Sequence, residues 1–218
     1  MSTQSSNRIV VTGMGTVGPL GFGIETSWTR LLAGQSGIPV LPVGLADGTG
    51  TAIGGQVPSL MEDPQSGYNP EQFIAAKERK KMDRFIEFAL VAAQEALAQA
   101  GWHSTEEEQK RRTATIIASG IGGFGVIADA VRTTDARGPR RLSPFTAPSF
   151  LANMAAGHVS PLGAPVTACA AGLQAIGDAA RMIRSGEVTV AVCGGAEAAI
   201  HRVSLGSFAA ARIVHGIQ

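Results

Sequence analysis

The stretch VTACAAG (residues 166–172) joins a β-prone pair to a cysteine, and the segment from Leu173 to Ser185 that follows it has helical periodicity. Small residues on both sides of one thiol let the backbone turn sharply and let a substrate approach closely. We therefore predict an extended strand end, a tight turn that carries Cys169, and a helix that ends at Ser185-Gly186.

The predicted place of Cys169, at or just before a helix N-terminus, favours the thiolate. Unpaired amides and the positive end of the helix dipole stabilise negative charge there. A strand–Cys–small–small–Gly–helix arrangement is the thiol counterpart of the nucleophile elbow that presents serine in other enzymes. The alternative is a buried structural cysteine, which is the commoner fate of a free thiol. The pattern favours a nucleophile and leaves the structural role open.

Glycine-rich turns and helices alternate with β-prone runs along the rest of the chain. We predict buried strands at 8–12, 113–119 and 188–193, with a further short strand near 51–57 inside the irregular segment 37–67. We predict helices at 25–33, 82–100, 127–131 and 150–158, with another small-residue segment at 205–212. This alternation predicts an α/β fold with a mixed or largely parallel sheet.

Residues 13–18 (GMGTVG) match the pattern GxGxxG, which invites a dinucleotide-binding interpretation. The context argues against it, because Pro19-Leu20-Gly21 stands where the helix should begin. No acidic residue lies about 20 positions further on to hold a ribose. A nicotinamide-dependent dehydrogenase would rest on these glycines alone. We instead interpret them as a turn that lies close to a neighbouring backbone.

Composition excludes several classes of protein. The net charge of +1 over 218 residues argues against a general nucleic-acid binder. The two cysteines, Cys169 and Cys193, form neither a CxxC pair nor a Cys/His cluster, so we predict no metal site, no disulfide and no cofactor. The first eight residues are polar, and no apolar run reaches the length of a membrane span. We expect a soluble cytoplasmic protein.

Eight motifs occur in one characteristic order. They are RIVVTGMGTVGPLG (8–21), RKKMDRF (79–85), SGIGGFG (119–125), GPRRLSPF (138–145), NMAAGH (153–158), TACAAG (167–172), GGAE (194–197) and FAAAR (208–212). Together they resemble the N-terminal half of a β-ketoacyl-acyl carrier protein synthase of the thiolase-like condensing-enzyme family, and above all the type II elongating synthase. The resemblance implies one half-domain over 1–218, half of a layered α-β-α-β-α architecture with a mixed sheet.

The resemblance also implies a reaction. Cys169 stands at the position of the acylated nucleophile, which takes an acyl chain from acyl carrier protein as a thioester. Malonyl-acyl carrier protein then loses carbon dioxide, and the carbanion attacks that thioester, as in fatty acid elongation. The backbone amide of Cys169 would donate to an oxyanion. A polyketide condensing enzyme is a sibling with the same chemistry.

Further site residues are implied by the same resemblance. Ile121 and Phe208 match positions that line the acyl pocket, although ordinary core packing is an alternative for both. Homodimers are typical of the family. Docking of the acidic carrier protein is implied for a set of basic residues, for which a solvated charged face is the alternative: Lys77, Lys80, Lys81, Arg140 and Arg141.

The chain also departs from the family pattern. In the family, two catalytic histidines and a lysine come from a second half, which these 218 residues do not include. The segment between His158 and Val166 is shorter than usual. We therefore expect the chain alone not to catalyse condensation at a normal rate. The alternative function is a non-catalytic, degenerate synthase half that binds acyl carrier protein or a full-length subunit.

Overall fold

The computed structural model describes residues 8–159 and 163–213. The helices are α1 (Ile24–Leu32), α2 (Ala76–Arg79), α3 (Arg84–Gln99), α4 (Glu107–Arg111), α5 (Phe124–Arg137), α6 (Thr146–Phe150), α7 (Met154–Val159), α8 (Ala171–Arg184) and α9 (Arg202–Ala210). The strands are β1 (Val17–Gly18), β2 (Gly21–Phe22), β3 (Thr113–Ala118) and β4 (Val190–Gly195). Short 3-10 helices cover Pro70–Gln72, Pro139–Arg141 and Ala168–Ala170.

The centre of the fold is a parallel pair of strands. β3 and β4 run side by side in register, from Thr113 opposite Val190 to Ala118 opposite Gly195. Gly163 bridges Ile116 from the other edge of β3, in the parallel sense, and its N–H donates to the Thr115 carbonyl at 3.1 Å. β1 and β2 form a separate antiparallel pair. The described strands thus confirm the α/β class, while the parallel and antiparallel pairs belong to separate sheets.

Helices cover both faces of β3. Because side chains alternate along a strand, Ile117 packs with α3 and α7, whereas Ile116 and Ala118 pack with α8. The α8 face against the sheet consists of alanines spaced four residues apart, which allow close contact: Ala171, Ala175 and Ala179. β3 is therefore buried between two helical layers, and the chain that follows it emerges at the edge where α8 begins.

The predicted long helix is confirmed as α3. Asp83 caps its N-terminus by accepting the Phe85 N–H at 3.1 Å, and Gly101 ends it in the left-handed region with φ +62°. Phe85 and Ile86 are fully buried against the sheet. The predicted helix 25–33 and the helix after Cys169 are also confirmed, as α1 and α8.

The glycine-rich segment 13–18 packs closely against the backbone of α3, as predicted. A Cβ atom at Gly13 or Gly15 would collide with carbonyl oxygens of α3, those of Ala96 and Ala92. The Thr16 N–H donates to the Glu95 side chain of the same helix at 2.9 Å. The small residues therefore let this segment lie directly against the α3 backbone, which accounts for the pattern without a dinucleotide.

Three strand predictions were wrong. Residues 8–12 lie outside any described strand, with Val10 and Val11 exposed at 69% and 76%. The region 51–57 contributes only an isolated bridge between Val40 and Ile53, and residues 166–167 before Cys169 are irregular. β-branched residues favour an extended backbone, but a strand also needs a partner backbone. No described segment supplies that partner for residues 8–12, and residues 39–41 pair with 52–54 only around one bridge.

Two helix predictions had the wrong extent. The helix predicted at 127–131 is the middle of the much longer α5, and residues 150–158 are divided between α6 and α7. The break falls at Leu151, whose extended backbone ends α6. The segment between His158 and Val166 lies partly outside the described residues, since 160–162 are not described.

Candidate active site

Cys169 lies in the single 3-10 turn that runs directly into α8, so the predicted helix start is confirmed. Its side chain is exposed, which excludes the buried structural cysteine. The residue before it, Ala168, adopts φ +51°. A left-handed backbone is unfavourable for alanine, and such strain is found at functional sites where the surrounding fold imposes it. The turn therefore presents a reachable thiol on a constrained backbone.

A second loop, the β3–α5 loop (residues 119–123), lies beside this turn. A Cβ on Gly120 would lie 3.3 Å from the carbonyl oxygen of Ala168 and 3.1 Å from Glu197 Oε2. Glycine at position 120 therefore lets the loop approach both neighbours without crowding. The fold brings together the end of β3, the Cys169 turn and the segment after β4.

Glu197 holds that loop through its carboxylate. The backbone N–H groups of Gly120 and Ile121 both donate to Glu197 Oε2 at 2.9 Å. The buried hydroxyl of Ser119 lies 3.4 Å from the same oxygen and accepts the Gly122 N–H at 3.0 Å. A single negative group thus satisfies two consecutive amides that would otherwise lack a partner at the strand end.

The negative charge of Glu197 acts on the nearby carboxyl group of Asp83. Burial raises the pKa of Asp83, and the nearby negative charge of Glu197 raises it further. The Phe85 N–H that Asp83 accepts acts in the opposite direction. Asp83, which caps α3, therefore interacts electrostatically with Glu197, the residue that binds the loop beside Cys169.

The predicted acyl-contact residues occupy different elements. Ile121 projects from the β3–α5 loop with 37% of its surface exposed, and Phe208 is half-buried on α9. The ring of His201, the cap of α9, lies 6.0 Å from the ring of Phe124 at the start of α5. The structure thus brings Gly120, the residue before Ile121, to the Cys169 turn, and it brings the cap of α9 to Phe124 at the end of the same loop.

Neither of two described surface cavities involves these residues. One, of about 310 Å³, lies among residues 59–79, and the other, of about 440 Å³, lies between α5 and Phe150. Contact of Ile121 and Phe208 with an acyl chain therefore stays a prediction.

The predicted docking residues form two neighbouring basic segments. Lys77 and Lys80 are exposed, as are Arg140 and Arg141. Lys81 differs from them, because it bonds Glu78 at 2.7 Å and its Nζ lies 5.8 Å from the centre of the Phe145 ring.

The Lys81 contacts bring the two basic segments together. The Ser149 hydroxyl donates to the Lys81 carbonyl at 3.1 Å, which adds to the Phe145 contact. The hydrogen bond from Lys81 lowers the pKa of Glu78, so part of the local positive charge is neutralised.

The second cysteine is unlike the first. Cys193 is half-buried in β4, and burial raises the pKa of its thiol. Within residues 8–159 and 163–213, no group of three or more His, Cys, Asp or Glu side chains is arranged to hold a metal ion. No helix in that same part of the chain is long and apolar enough to cross a membrane.

Sequence reasoning missed the roles of Glu197 and Ser119. Both lie in motifs that carried the family resemblance, GGAE and SGIGGFG, but neither motif indicates that they meet. They are 78 positions apart and become neighbours because β3 and β4 end side by side. The signal was therefore present as two separate motifs, and only parallel pairing joins them.

The parallel pair β3–β4 between helical layers and the exposed thiol turn at the start of α8 define an α/β protein with a candidate nucleophilic cysteine. A family model described as "Beta-ketoacyl synthase, N-terminal domain" matches residues 6–216, so the chain belongs to the β-ketoacyl synthase family.

Curated relatives include a 3-oxoacyl-[acyl-carrier-protein] synthase 2 of Rhizobium meliloti, 42% identical over 212 residues, which cover 94% of this chain and 50% of that protein. The mitochondrial 3-oxoacyl-[acyl-carrier-protein] synthase of Arabidopsis thaliana is also 42% identical, over 97% of this chain and 49% of that protein. The chain spans about half the length of the curated relatives it matches.

Solved structures agree on the fold. The ishigamide ketosynthase/chain length factor superposes with a TM-score of 0.76 at 29% identity, covering 92% of this chain and 50% of that one. A β-ketoacyl synthase from Burkholderia phymatum gives a TM-score of 0.77 at 24% identity, covering 94% of this chain and 50% of that one. The thiolase-like α/β fold is thus shared with ketosynthases.

Proposed function

We propose that residues 1–218 form the N-terminal half-domain of a β-ketoacyl-acyl carrier protein synthase and that Cys169 is its acylated nucleophile. In this proposal the enzyme is an acyltransferase of fatty acid elongation. It joins an acyl chain on Cys169 to malonyl-acyl carrier protein by decarboxylative condensation. The carrying observation is the exposed Cys169 in a constrained turn at the start of α8, in a chain that matches the family model over 6–216.

The first step needs groups that this chain contains. The Cys169 sulfur attacks the carbonyl carbon of the acyl thioester, forming a new C–S bond. The carbonyl oxygen becomes an oxyanion, to which the Cys169 backbone N–H donates. The intermediate collapses, the bond to the carrier's sulfur breaks, and the carrier leaves as a thiol with the proton that Cys169 lost.

The second step needs groups beyond this chain. Loss of carbon dioxide from malonyl-acyl carrier protein leaves a carbanion, which attacks the thioester on Cys169 and releases the lengthened β-ketoacyl product. The family resemblance assigns the two histidines and the lysine of this step to a second half. The relatives that the chain matches are about twice its length, which supports a second half in the whole protein.

Acyl carrier protein is the proposed partner, and the two basic segments are its proposed docking surface. A positive surface steers an acidic partner into the right orientation. The contacts of Lys81 with Phe145 and Ser149 support one continuous surface. One solved structure in the family contains a type II polyketide acyl carrier protein with its ketosynthase, matching this chain with a TM-score of 0.68 at 22% identity.

The proposal includes homodimers and a cytoplasmic location. Exposed apolar side chains on α1, among them Trp28 and Leu32, favour association with another surface. Both cysteines of the chain are free, which suits a reducing compartment.

Acyl transfer to the purified chain tests the proposal. We expect a radiolabelled hexadecanoyl-acyl carrier protein to leave about one hydroxylamine-sensitive label per chain on Cys169. The label should be absent from Cys169→Ala and present on Cys193→Ala. A folded wild-type chain that takes no label would refute the acyl-transfer role. If the carrier still binds that chain and binds Cys169→Ala equally, the non-catalytic binding function is supported instead.

Condensation is measured in the same preparation. After malonyl-acyl carrier protein is added, we expect no turnover comparable to that of a full-length synthase. Comparable turnover by the 218 residues would overturn the assignment of the second step to a second half.

A further inference from the structure

We propose that Glu197 is a positioning residue that fastens the β3–α5 loop against the Cys169 turn and thereby sets where Ile121 lies. The effect on acylation rests on the proposed function of Cys169, whereas the hydrogen bonds from the loop to Glu197 belong to the fold itself. Glu197 lies two residues beyond the end of β4, outside the β3–β4 ladder. The sheet therefore does not need its side chain in order to form.

The strength of the fastening comes from charge. Two consecutive amides, those of Gly120 and Ile121, donate to one carboxylate oxygen at 2.9 Å. Hydrogen bonds to an ionised acceptor are about twice as strong as neutral ones. Ser119, only 2% exposed, lies 3.4 Å from the same oxygen and accepts the Gly122 N–H. Four consecutive residues of the loop are thus organised around one carboxylate.

The loop is also coupled to the thiol turn. A side chain at position 120 would be crowded between Glu197 Oε2 and the Ala168 carbonyl, at 3.1 and 3.3 Å from its Cβ. Ala168 is the strained residue that directly precedes Cys169. A loop released by loss of the carboxylate would therefore change the surroundings of the thiol, and first of all the position of Ile121. The intrinsic reactivity of the thiol toward a small reagent would be changed much less.

Amide hydrogen exchange tests the fastening directly. In Glu197→Ala we expect the Gly120 and Ile121 amides to exchange roughly tenfold faster or more than in the wild type, since bonds to a charged group are lost. Glu197→Gln keeps one acceptor oxygen of the same reach and should restore part of the protection. Glu108→Ala, on exposed α4 at the opposite end of β3, is the matched control. Unchanged exchange of the Ile116 and Ile117 amides shows that the sheet remains folded.

Acyl-chain selectivity should change if Glu197 positions Ile121, and it should stay the same if Glu197 has a purely structural role. We expect Glu197→Ala to lower the rate of Cys169 acylation by hexadecanoyl thioester relative to hexanoyl thioester. The rate of Cys169 alkylation by iodoacetamide should stay within about twofold of the wild type, while Glu197→Gln should recover part of the selectivity.

The outcomes separate the two proposals. Equal protection of the two amides in all the variants, or no protection in the wild type, overturns the role of Glu197. If Glu197→Ala does not fold, the comparison of Glu197→Gln with Glu108→Ala decides it in the same way. If amide exchange is faster in Glu197→Ala but its chain-length selectivity is unchanged, the positioning role is overturned and the hydrogen bonds of Glu197 are structural only. A wild type that is never acylated refutes the proposed function, while amide exchange still decides the fastening.

Discussion

Gly172 and Gly195 meet backbone to backbone where α8 begins and β4 ends. A Cβ on Gly195 would lie 2.9 Å from the Cα of Gly172, and a Cβ on Gly172 would lie 3.3 Å from the Cα of Gly195. Real Cβ atoms do not approach a backbone atom as closely as the first of these distances, so one element would have to move. The two glycines thus set how closely the helix that follows Cys169 approaches the sheet.

Gly195→Ala is therefore expected to destabilise the fold by about 1–3 kcal/mol, the usual cost of forcing extra volume into close packing. The matched control is Gly194→Ala, because a Cβ at that neighbouring position would meet no atom within 4 Å. Its effect should stay within about 0.5 kcal/mol. Urea unfolding measures both free energies. Equal losses in the two variants would show that the contact with Gly172 does not limit the packing.

The two thiols are expected to differ in reactivity. Cys169 is exposed, whereas Cys193 is half-buried in β4 with a raised thiol pKa. Because Cys169 is exposed and burial disfavours the reactive thiolate of Cys193, iodoacetamide should modify Cys169 first at about pH 7.5. Labelling of Cys193 should increase as the pH rises. Mass spectrometry of timed samples measures both, with Cys169→Ala and Cys193→Ala to assign the peptides. Faster modification of Cys193 at pH 7.5 would contradict the described burial.

The buried Glu87 gives stability a dependence on pH. Its side chain is 7% exposed and bonds Arg79 Nε at 3.3 Å, yet burial raises its pKa above the ordinary value of 4.5, against the lowering effect of Arg79. The folded state then holds the proton more tightly than the unfolded state. The contribution of Glu87 to stability is therefore complete below about pH 4.5 and is lost as the pH rises through the raised folded pKa.

Arg79→Met should deepen that loss. Without the guanidinium the pKa of Glu87 rises further, so we expect a destabilisation of about 2 kcal/mol at pH 7, reduced from the value for fully buried pairs because Arg79 is partly exposed. At pH 5 the cost should be smaller. The double variant Arg79→Met with Glu87→Gln should recover most of the loss at pH 7. Thermal unfolding at both pH values measures it, and an equal cost at both would argue against the charge of Glu87.

Docking of the carrier protein should depend on salt. Lys80→Glu combined with Arg141→Glu reverses one charge in each basic segment. It should slow association with acyl carrier protein on the order of tenfold at low ionic strength. The difference should shrink as salt screens the charges. Arg184→Glu, an exposed reversal at the far end of α8, is the control. Equal slowing by the control would indicate a net-charge effect and not a docking surface.

The helices could be predicted because their signals are local. Asp83 and Gly101 mark the ends of α3, and the apolar spacing between them defines its buried face. The start of α8 after Cys169 was predicted in the same way, but its buried face was not. Leu173 and Ile176, two large apolar side chains of that periodic segment, are 75% and 49% exposed, and the alanines at 171, 175 and 179 face the sheet instead. Capping, periodicity and glycine conformations act within a few residues, so they can be read along the chain.

The failed strands depended on partners far away in the sequence. Residues 8–12 have the composition of a strand, but no described segment pairs with them, and Val10 and Val11 remain exposed. Residues 113–118 are a strand because β4, some 77 positions later, runs beside them in register. Composition gives a tendency to extend, and the hydrogen-bond ladder depends on what lies alongside.

The candidate site divides in the same way. The chain's own order of residues determined that a thiol would stand at the head of a helix, since the small residues around Cys169 are followed by a segment of helical periodicity. The parallel pairing of β3 and β4 decided the rest. It places Glu197 where it accepts the Gly120 N–H, and it places Gly120 beside Ala168. Contacts between distant residues follow from the positions of whole elements, and those positions come from burying all the apolar faces together.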